Sequence, residues 1–209
     1  LPFSMIPSNL YSSTGKFVLL AIPFFILGGN VMEKSGISAR LIDFCRTLVG
    51  HRKSGMALVC VIVACFFAAI SGSGPATVAA LGMILIPAMV KAGYDKGDSA
   101  ALMSTAGAIG IIIPPSIPMV IYGVSGQQSI SKMFMAGIIP GILIAIGLSV
   151  MHFFLCRNLK TEGLDWSMKT FIHSLRDGFW SILAPVIILG GIYAGIFTPT
   201  EAAVVAIFY

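Results

Sequence analysis

Charge is what this 209-residue sequence has least of: Asp, Glu, Lys and Arg make up 10% of it, against 57% apolar residues. A soluble domain carries about a quarter charged residues, so a single core in water is excluded and lipid is the solvent for most of the surface. Five stretches, 17–32, 54–90, 99–131, 133–156 and 178–200, hold no Asp, Glu, Lys or Arg at all. Several reach the roughly 20 residues that cross a bilayer core of about 30 Å. All eight acidic residues fall in loops, caps or interfacial segments, which argues against a carboxylate proton relay at membrane depth. Cysteine is scarce too. Cys45, Cys60, Cys65 and Cys156 lack metal or redox spacing, and Cys60 and Cys65 sit in an apolar run as small hydrophobes. No disulfide, cofactor or transition metal is expected. His51, His152 and His173 stand apart from one another and are read as non-catalytic. The chain lacks an initiator Met and a basic leader at Leu1 and stops inside an apolar helix at Tyr209, so it is expected to be an internal piece of a longer subunit.

The net charge of +5 forms no continuous patch for nucleic acid. If the chain weaves inward from the outside, Lys34, Arg40, Arg46, Arg52, Lys53, Lys91, Lys96, Arg157, Lys160, Lys169 and Arg176 share one face, leaving Lys16 and Lys132 on the other. Positive charge marks the cytoplasmic face.

Ser12, Ser13 and Thr14 can cap a first span from Gly15 to Met32. In 35–50, Ile37, Leu41, Phe44, Cys45, Leu48 and Val49 recur at helical spacing opposite Arg40, Asp43, Arg46 and Thr47, the pattern of a helix lying in the interface. A second such segment runs from Trp166 to Arg176. Between them, 54–70 and 75–90 are two short apolar arms joined by Ser71-Gly72-Ser73-Gly74-Pro75. They read either as two thin spans or as a re-entrant hairpin, and a tip of small uncharged residues favours the hairpin. A helix expected to start at Asp98 is interrupted by Pro114-Pro115-Ser116, with Pro118 following, and resumes to about Gly123. Spans are then expected over 133–156 and 179–197, and Thr198-Pro199-Thr200-Glu201 reads as a capping box opening a further helix. The echo of Pro23-Phe24-Phe25-Ile26-Leu27-Gly28-Gly29 in 185–191 is short enough to be coincidence.

Two interrupted helices meeting at mid-membrane can build a transport site, with free carbonyl ends facing a cation and positive amide ends facing an anion. Here 54–70 and 98–113 supply the carbonyl ends, and 75–90 and 117–123 the amide ends. Serine hydroxyls and backbone carbonyls suit an alkali cation, sodium in preference to transition metals. Singly, Ser73 as a helix cap and the Pro-Pro break as a packed kink are the plainer readings. Two breaks within about fifty residues shift the balance to a site. An intramembrane enzyme would need a base near Ser71 or Ser73, and the apolar segments offer none. A passive channel would conduct without sodium.

Five ordered strings carry a resemblance: Leu-Leu-Ala-Ile-Pro-Phe-Phe-Ile-Leu-Gly-Gly at 19–29, Ser-Gly-Ser-Gly-Pro-Ala-Thr at 71–77, Ile-Pro-Ala-Met-Val-Lys-Ala-Gly-Tyr-Asp at 86–95, Ile-Ile-Pro-Pro-Ser-Ile-Pro at 112–118 and Gly-Ile-Phe-Thr-Pro-Thr-Glu-Ala-Ala at 195–203. Over essentially its whole length the chain resembles the large membrane subunit of the tripartite ATP-independent periplasmic (TRAP) transporters. The resemblance implies an all-α polytopic membrane protein, an elevator-type carrier with inverted repeats, a re-entrant helical hairpin and a broken helix. It implies a scaffold span and arm helix in 1–53. The transport-domain part would be 54–156, with the hairpin 54–90, broken helix 98–123 and span 133–156. A second arm, a scaffold span and the start of the second repeat would fill 157–209. The implied function is sodium-coupled import, across the bacterial inner membrane, of an organic acid such as a C4-dicarboxylate or sialic acid. A periplasmic substrate-binding protein would deliver it and a small membrane subunit would be the partner. By position, sodium would be held by oxygens of Ser71, Gly110, Ile113 and Pro115, and the substrate by Ser71, Ser73 and Ser116. The tip, Ser73-Gly74-Pro75, is richer in Gly and Pro than in many relatives, and a second hairpin is absent from this stretch. The alternative of the same class is a single-component sodium/dicarboxylate or citrate elevator carrier.

Overall fold

The computed structural model describes residue 3 and residues 5–51, 54–156 and 167–209, and the described residues are all helix and turn. Arg52, Lys53, Arg157, Lys160 and Trp166, used above for orientation or as a helix start, lie outside the described residues. The order is α1 (Met5–Thr14), a 3-10 turn (Phe17–Leu20), α2 (Ala21–Lys34), α3 (Ile37–Val49), α4 (Gly55–Ser71), α5 (Gly74–Lys91), α6 (Lys96–Ala108) with a 3-10 turn (Ile109–Ile111), α7 (Ile117–Ser125), α8 (Ile130–Leu155), α9 (Met168–Tyr193) and α10 (Pro199–Phe208). Among the described residues, four stretches are long and apolar enough to cross a membrane: Phe17–Lys34, Gly74–Lys91, Ile130–Leu155 and Met168–Tyr193.

Several boundaries differ from the sequence expectation. Ser12 and Thr14 close α1 rather than cap the first span, their hydroxyls donating back to Asn9 and Leu10 carbonyls. Asp95 opens α6 in place of Asp98: its carboxylate accepts from the Gly97 and Asp98 amides, and Asp98 becomes a first-turn acid. The span expected at 133 begins at Ile130 behind Ser129. The second interfacial segment and the span after it are a single helix, α9. Nothing at Arg176 to Phe179 breaks a helix, and Gly178 lets α3 approach, since a Cβ there would stand 3.4 Å from that of Phe44. The helix ends at Tyr193, short of Phe197, because Gly195 takes φ +71°. The capping box is as read: Thr198 and Glu201 exchange backbone and side-chain hydrogen bonds, and the Thr198 amide and hydroxyl hold the Glu201 carboxyl below its usual range.

Two hydrophobic interiors organise the chain. One joins Leu41, Ile42 and Cys45 of α3 to α4, α5 and α6, with Tyr94 of the α5–α6 turn also buried in it. The other joins Ala21 and Phe25 of α2 to Val120 of α7, Ile130 and Phe134 of α8, Ile188 and Ile192 of α9, and Ala202, Ala203 and Ala206 of α10. The half-helix α7 and the first turns of α8 pack with the flanking helices, and α3 packs with the hairpin. A small contact of Met32, Ile70 and Ala184 ties α2, α4 and α9 together.

Candidate functional site

The hairpin tip forms because α4 runs out of helix at Gly72, which adopts φ +63° and returns its amide to the Ala68 carbonyl. That left-handed conformation is one glycine takes without a Cβ penalty. Ser73 is extended and caps α5, and Pro75 fills an early position where a missing amide is harmless. The second break is built in the same way. After the turn Ile109–Ile111, a cis peptide joins Pro114 to Pro115, and Ser116 caps α7 with Pro118 just inside.

The two breaks meet. The Ile117 amide donates to the Gly72 carbonyl at 3.1 Å, and a Cβ on Gly72 would lie 2.7 Å from the Pro115 oxygen. On the other side, a Cβ on Gly74 would lie 3.0 Å from the Gly107 oxygen, and one on Gly110 would lie 3.2 Å from Thr77 Oγ1 and 3.4 Å from the Gly74 amide nitrogen. The carbonyl ends of α4 and α6 and the amide ends of α5 and α7 thus come within a few ångströms of one another. From this junction α7 runs to Val124, whose carbonyl accepts from Lys16 Nζ at 3.0 Å.

Of the residues expected at a site, Ser71 lies at the centre. It is 3% exposed, its hydroxyl pairs with Thr77 Oγ1 at 3.1 Å, and the Ser73 amide approaches it at 3.4 Å. Gly110 and Pro115 face the tip as described, and Ile113 sits in the break with its amide bonded to the Ile109 carbonyl. Ser71 and Ser73 line a cavity of about 150 Å³ against Ile26, Gly29, Asn30 and Glu33 of α2. Ser116 is drawn into the junction but away from that cavity: it is 1% exposed, donates to the Ile111 carbonyl at 2.6 Å and accepts from the Met119 amide at 3.4 Å.

Three contributors went unnoticed in the sequence. Thr77, fully buried, completes the Ser71 hydroxyl network and also donates to the Ser73 carbonyl at 2.8 Å; its spacing of four from Ser73 in a helix start was the available signal. Asn30 and Glu33 face the tip from α2. Asn30, an amide beside Gly28-Gly29 in an apolar span, was a legible anomaly. Glu33 follows the expected end of that span at Met32, and what brings it to the tip is the packing of Gly29 on Ser71, where a Cβ would meet the Ser71 backbone at 3.2 Å.

The remaining polar candidates have local partners. His152 is buried with Nδ1 3.2 Å from the Leu148 carbonyl, and His173 pairs with Asp177 at 3.0 Å. All four cysteines are free, and among the described residues no cluster of His, Cys, Asp and Glu could hold a metal.

Residues 2–209 match the family described as tripartite ATP-independent periplasmic transporter, DctM component. The isethionate TRAP transporter permease protein DctMQ of Oleidesulfovibrio alaskensis is 49% identical over 100% of the chain and 33% of its own length. The C4-dicarboxylate TRAP transporter large permease protein DctM of Pseudomonas aeruginosa is 45% identical over 96% of the chain and 47% of its own length. The sialic acid TRAP transporter permease protein SiaT of Haemophilus influenzae is 41% identical over 96% of the chain and 33% of its own length. The chain spans a third to a half of the length of these relatives. With a match over nearly every residue, the chain belongs to the TRAP transporter family as a DctM component.

Proposed function

We propose that this chain is part of the large permease subunit of a secondary importer that couples sodium entry to uptake of a small organic anion. A periplasmic binding protein delivers the anion, and a small membrane subunit completes the complex in the bacterial inner membrane. The observation that carries the reading is the meeting of four helix termini at an uncharged tip, joined by the Ile117 amide and the Gly72 carbonyl. Carbonyl ends attract a cation and amide ends an anion, each most strongly where water is excluded. Relatives are named for isethionate, C4-dicarboxylate and sialic acid. The first is a sulfonate and the others are carboxylates, so the substrate class widens from an organic acid with a carboxylate to organic anions of either kind. Membership in the TRAP family favours this reading over the single-component carrier.

In this reading Ser71, Gly110, Ile113 and Pro115 supply sodium oxygens, Ser71 and Ser73 orient the anion, and Ser116 joins them on giving up its bond to the Ile111 carbonyl. Arms 54–70 and 75–90 form a re-entrant hairpin, and the 54–156 unit moves as an elevator against a scaffold of α2 and the membrane part of α9, with α3 and the start of α9 as arms. The rest of the subunit supplies the inverted repeat. Glu33 on α2 opposes an anion at the cavity and attracts sodium, which favours the anion arriving with its cation.

Uptake by the complete complex in proteoliposomes, with sodium and substrate varied independently, tests the site. A hydrogen bond to a charged group contributes about 1.5–3 kcal/mol, so Ser71→Ala and Ser116→Ala should each weaken apparent substrate affinity by roughly one to two orders of magnitude. Ser71→Ala should also shift the sodium dependence, whereas Ser116→Ala should not. Wild-type kinetics in both variants would remove the assignment, and a sodium shift confined to Ser116→Ala would reverse the two roles.

A further inference from the structure

We infer that the groove between α3 and the first half of α9 binds the phosphodiester headgroup of an anionic phospholipid. The two helices run antiparallel. Gly178 lies against Arg40 and Phe44, where a Cβ would stand 3.5 Å from the Arg40 oxygen, and the Phe44 and Phe171 rings stand 6.0 Å apart. Along one side of this contact runs a polar groove of about 620 Å³ whose lining includes Arg40, Asp43 and Arg46 of α3 and Thr170, Ser174 and Asp177 of α9.

Arg46 lies toward the first turn of α9, whose N-cap Ser167 makes no side-chain capping hydrogen bond. Its Nε is buried with no hydrogen-bond partner, and a charged donor left unsatisfied out of water is costly. Acids are near, yet they do not neutralise it. Asp177 pairs with His173, and among the described residues neither Arg40 nor Arg46 forms an ion pair. Two guanidinium groups, the Thr170 and Ser174 hydroxyls and the amide end of α9 match the several acceptor oxygens of a phosphodiester, and guanidinium pairs bidentately with such groups.

The surroundings select a lipid over a soluble phosphate. The α9 stripe of Thr170, His173 and Asp177 continues at helical spacing to Trp180, 61% exposed, whose ring packs edge-on to Phe179. Polar contacts followed along one stripe by an exposed aromatic ring reproduce the order headgroup, interface. The excess of Lys and Arg on this face places it in the leaflet where anionic lipids attract basic residues.

The test uses the complete complex in nanodiscs carrying a photoactivatable phosphatidylglycerol, with adducts mapped by peptide. Adducts are expected within 37–49 and 168–181, displaced by unlabelled phosphatidylglycerol but not by phosphatidylcholine or millimolar inorganic phosphate. Arg46→Ala should lower labelling about tenfold, the loss of one charge-assisted contact, and Lys169→Ala should leave it unchanged. Absence of adducts there, equal displacement by phosphatidylcholine, displacement by free phosphate, or full labelling of Arg46→Ala would each overturn the proposal. If Arg46→Ala does not yield a monodisperse complex, the displacement series on the wild-type complex decides alone.

Discussion

Helices α4 and α8 are both strongly apolar, yet they use that property in opposite ways. Thirteen of the 17 residues of α4 are buried within the chain, whereas five of the 26 in α8 are, and Leu143, Ile139 and Phe154 of α8 are each more than 60% exposed. Hydropathy reads the two alike. The difference is that α4 is about 25 Å long, enclosed by α3, α5 and α6, and ends in a polar tip satisfied by protein groups. By contrast, α8 is about 39 Å long and turns most of its surface away from the rest of the chain. A helix that hides from water inside protein need not span a membrane, and its end can be used for binding.

The largest expected effect that sharpens this contrast is a cavity. Leu85→Ala in α5, at 0% exposure, should destabilise the purified complex by about 2–5 kcal/mol, read by thermal or denaturant unfolding. Leu143→Ala in α8, at 62% exposure, should stay within about 0.5 kcal/mol. An equal cost at Leu143 would break the comparison and mean that α8 is enclosed by protein outside this chain.

Backbone substitution at the tip comes next. Gly72→Ala places a Cβ against the Pro115 carbonyl in a left-handed residue, a conformation that costs an L-residue roughly 1–2 kcal/mol, and uptake should be lost because the junction with α7 must separate. Retained uptake in proteoliposomes would show that the Gly72–Ile117 contact is dispensable. The smallest effect has the opposite sign. A Cβ on Gly147 of α8 meets nothing within 4 Å, so Gly147→Ala should stabilise by about 0.4–1 kcal/mol, measured in the same unfolding experiment. A loss there would again place a neighbour against α8.

Much of the fold was legible because local rules are strong where nothing competes with them. The amphipathic stripe of α3, the caps at Ser73 and Thr198, and the interruption at Pro114-Pro115 all follow from periodicity, capping chemistry and missing amides. Boundaries failed where two local signals were equivalent. Asp95 and Asp98 are both good caps, and Asp95 prevails because Gly93, with φ +95°, and Tyr94, buried at 4% exposure, fix the turn just before it. The join of the second arm to its span escaped notice because a change of composition at Gly178 resembles a boundary while the backbone continues through it.

By itself the sequence determined a membrane-embedded helical chain, the two breaks and the serines at them, because hydrophobic run length, proline and glycine act through the nearest few residues. Only the tertiary structure decided which termini meet, that Thr77, Asn30 and Glu33 join Ser71 and Ser73, and that Ser116 turns away from the cavity to bond the Ile111 carbonyl. Those choices depend on close approaches between glycines and backbone far apart in the chain, such as Gly29 on Ser71 and Gly72 on Pro115, and no local pattern specifies which surface a glycine will admit.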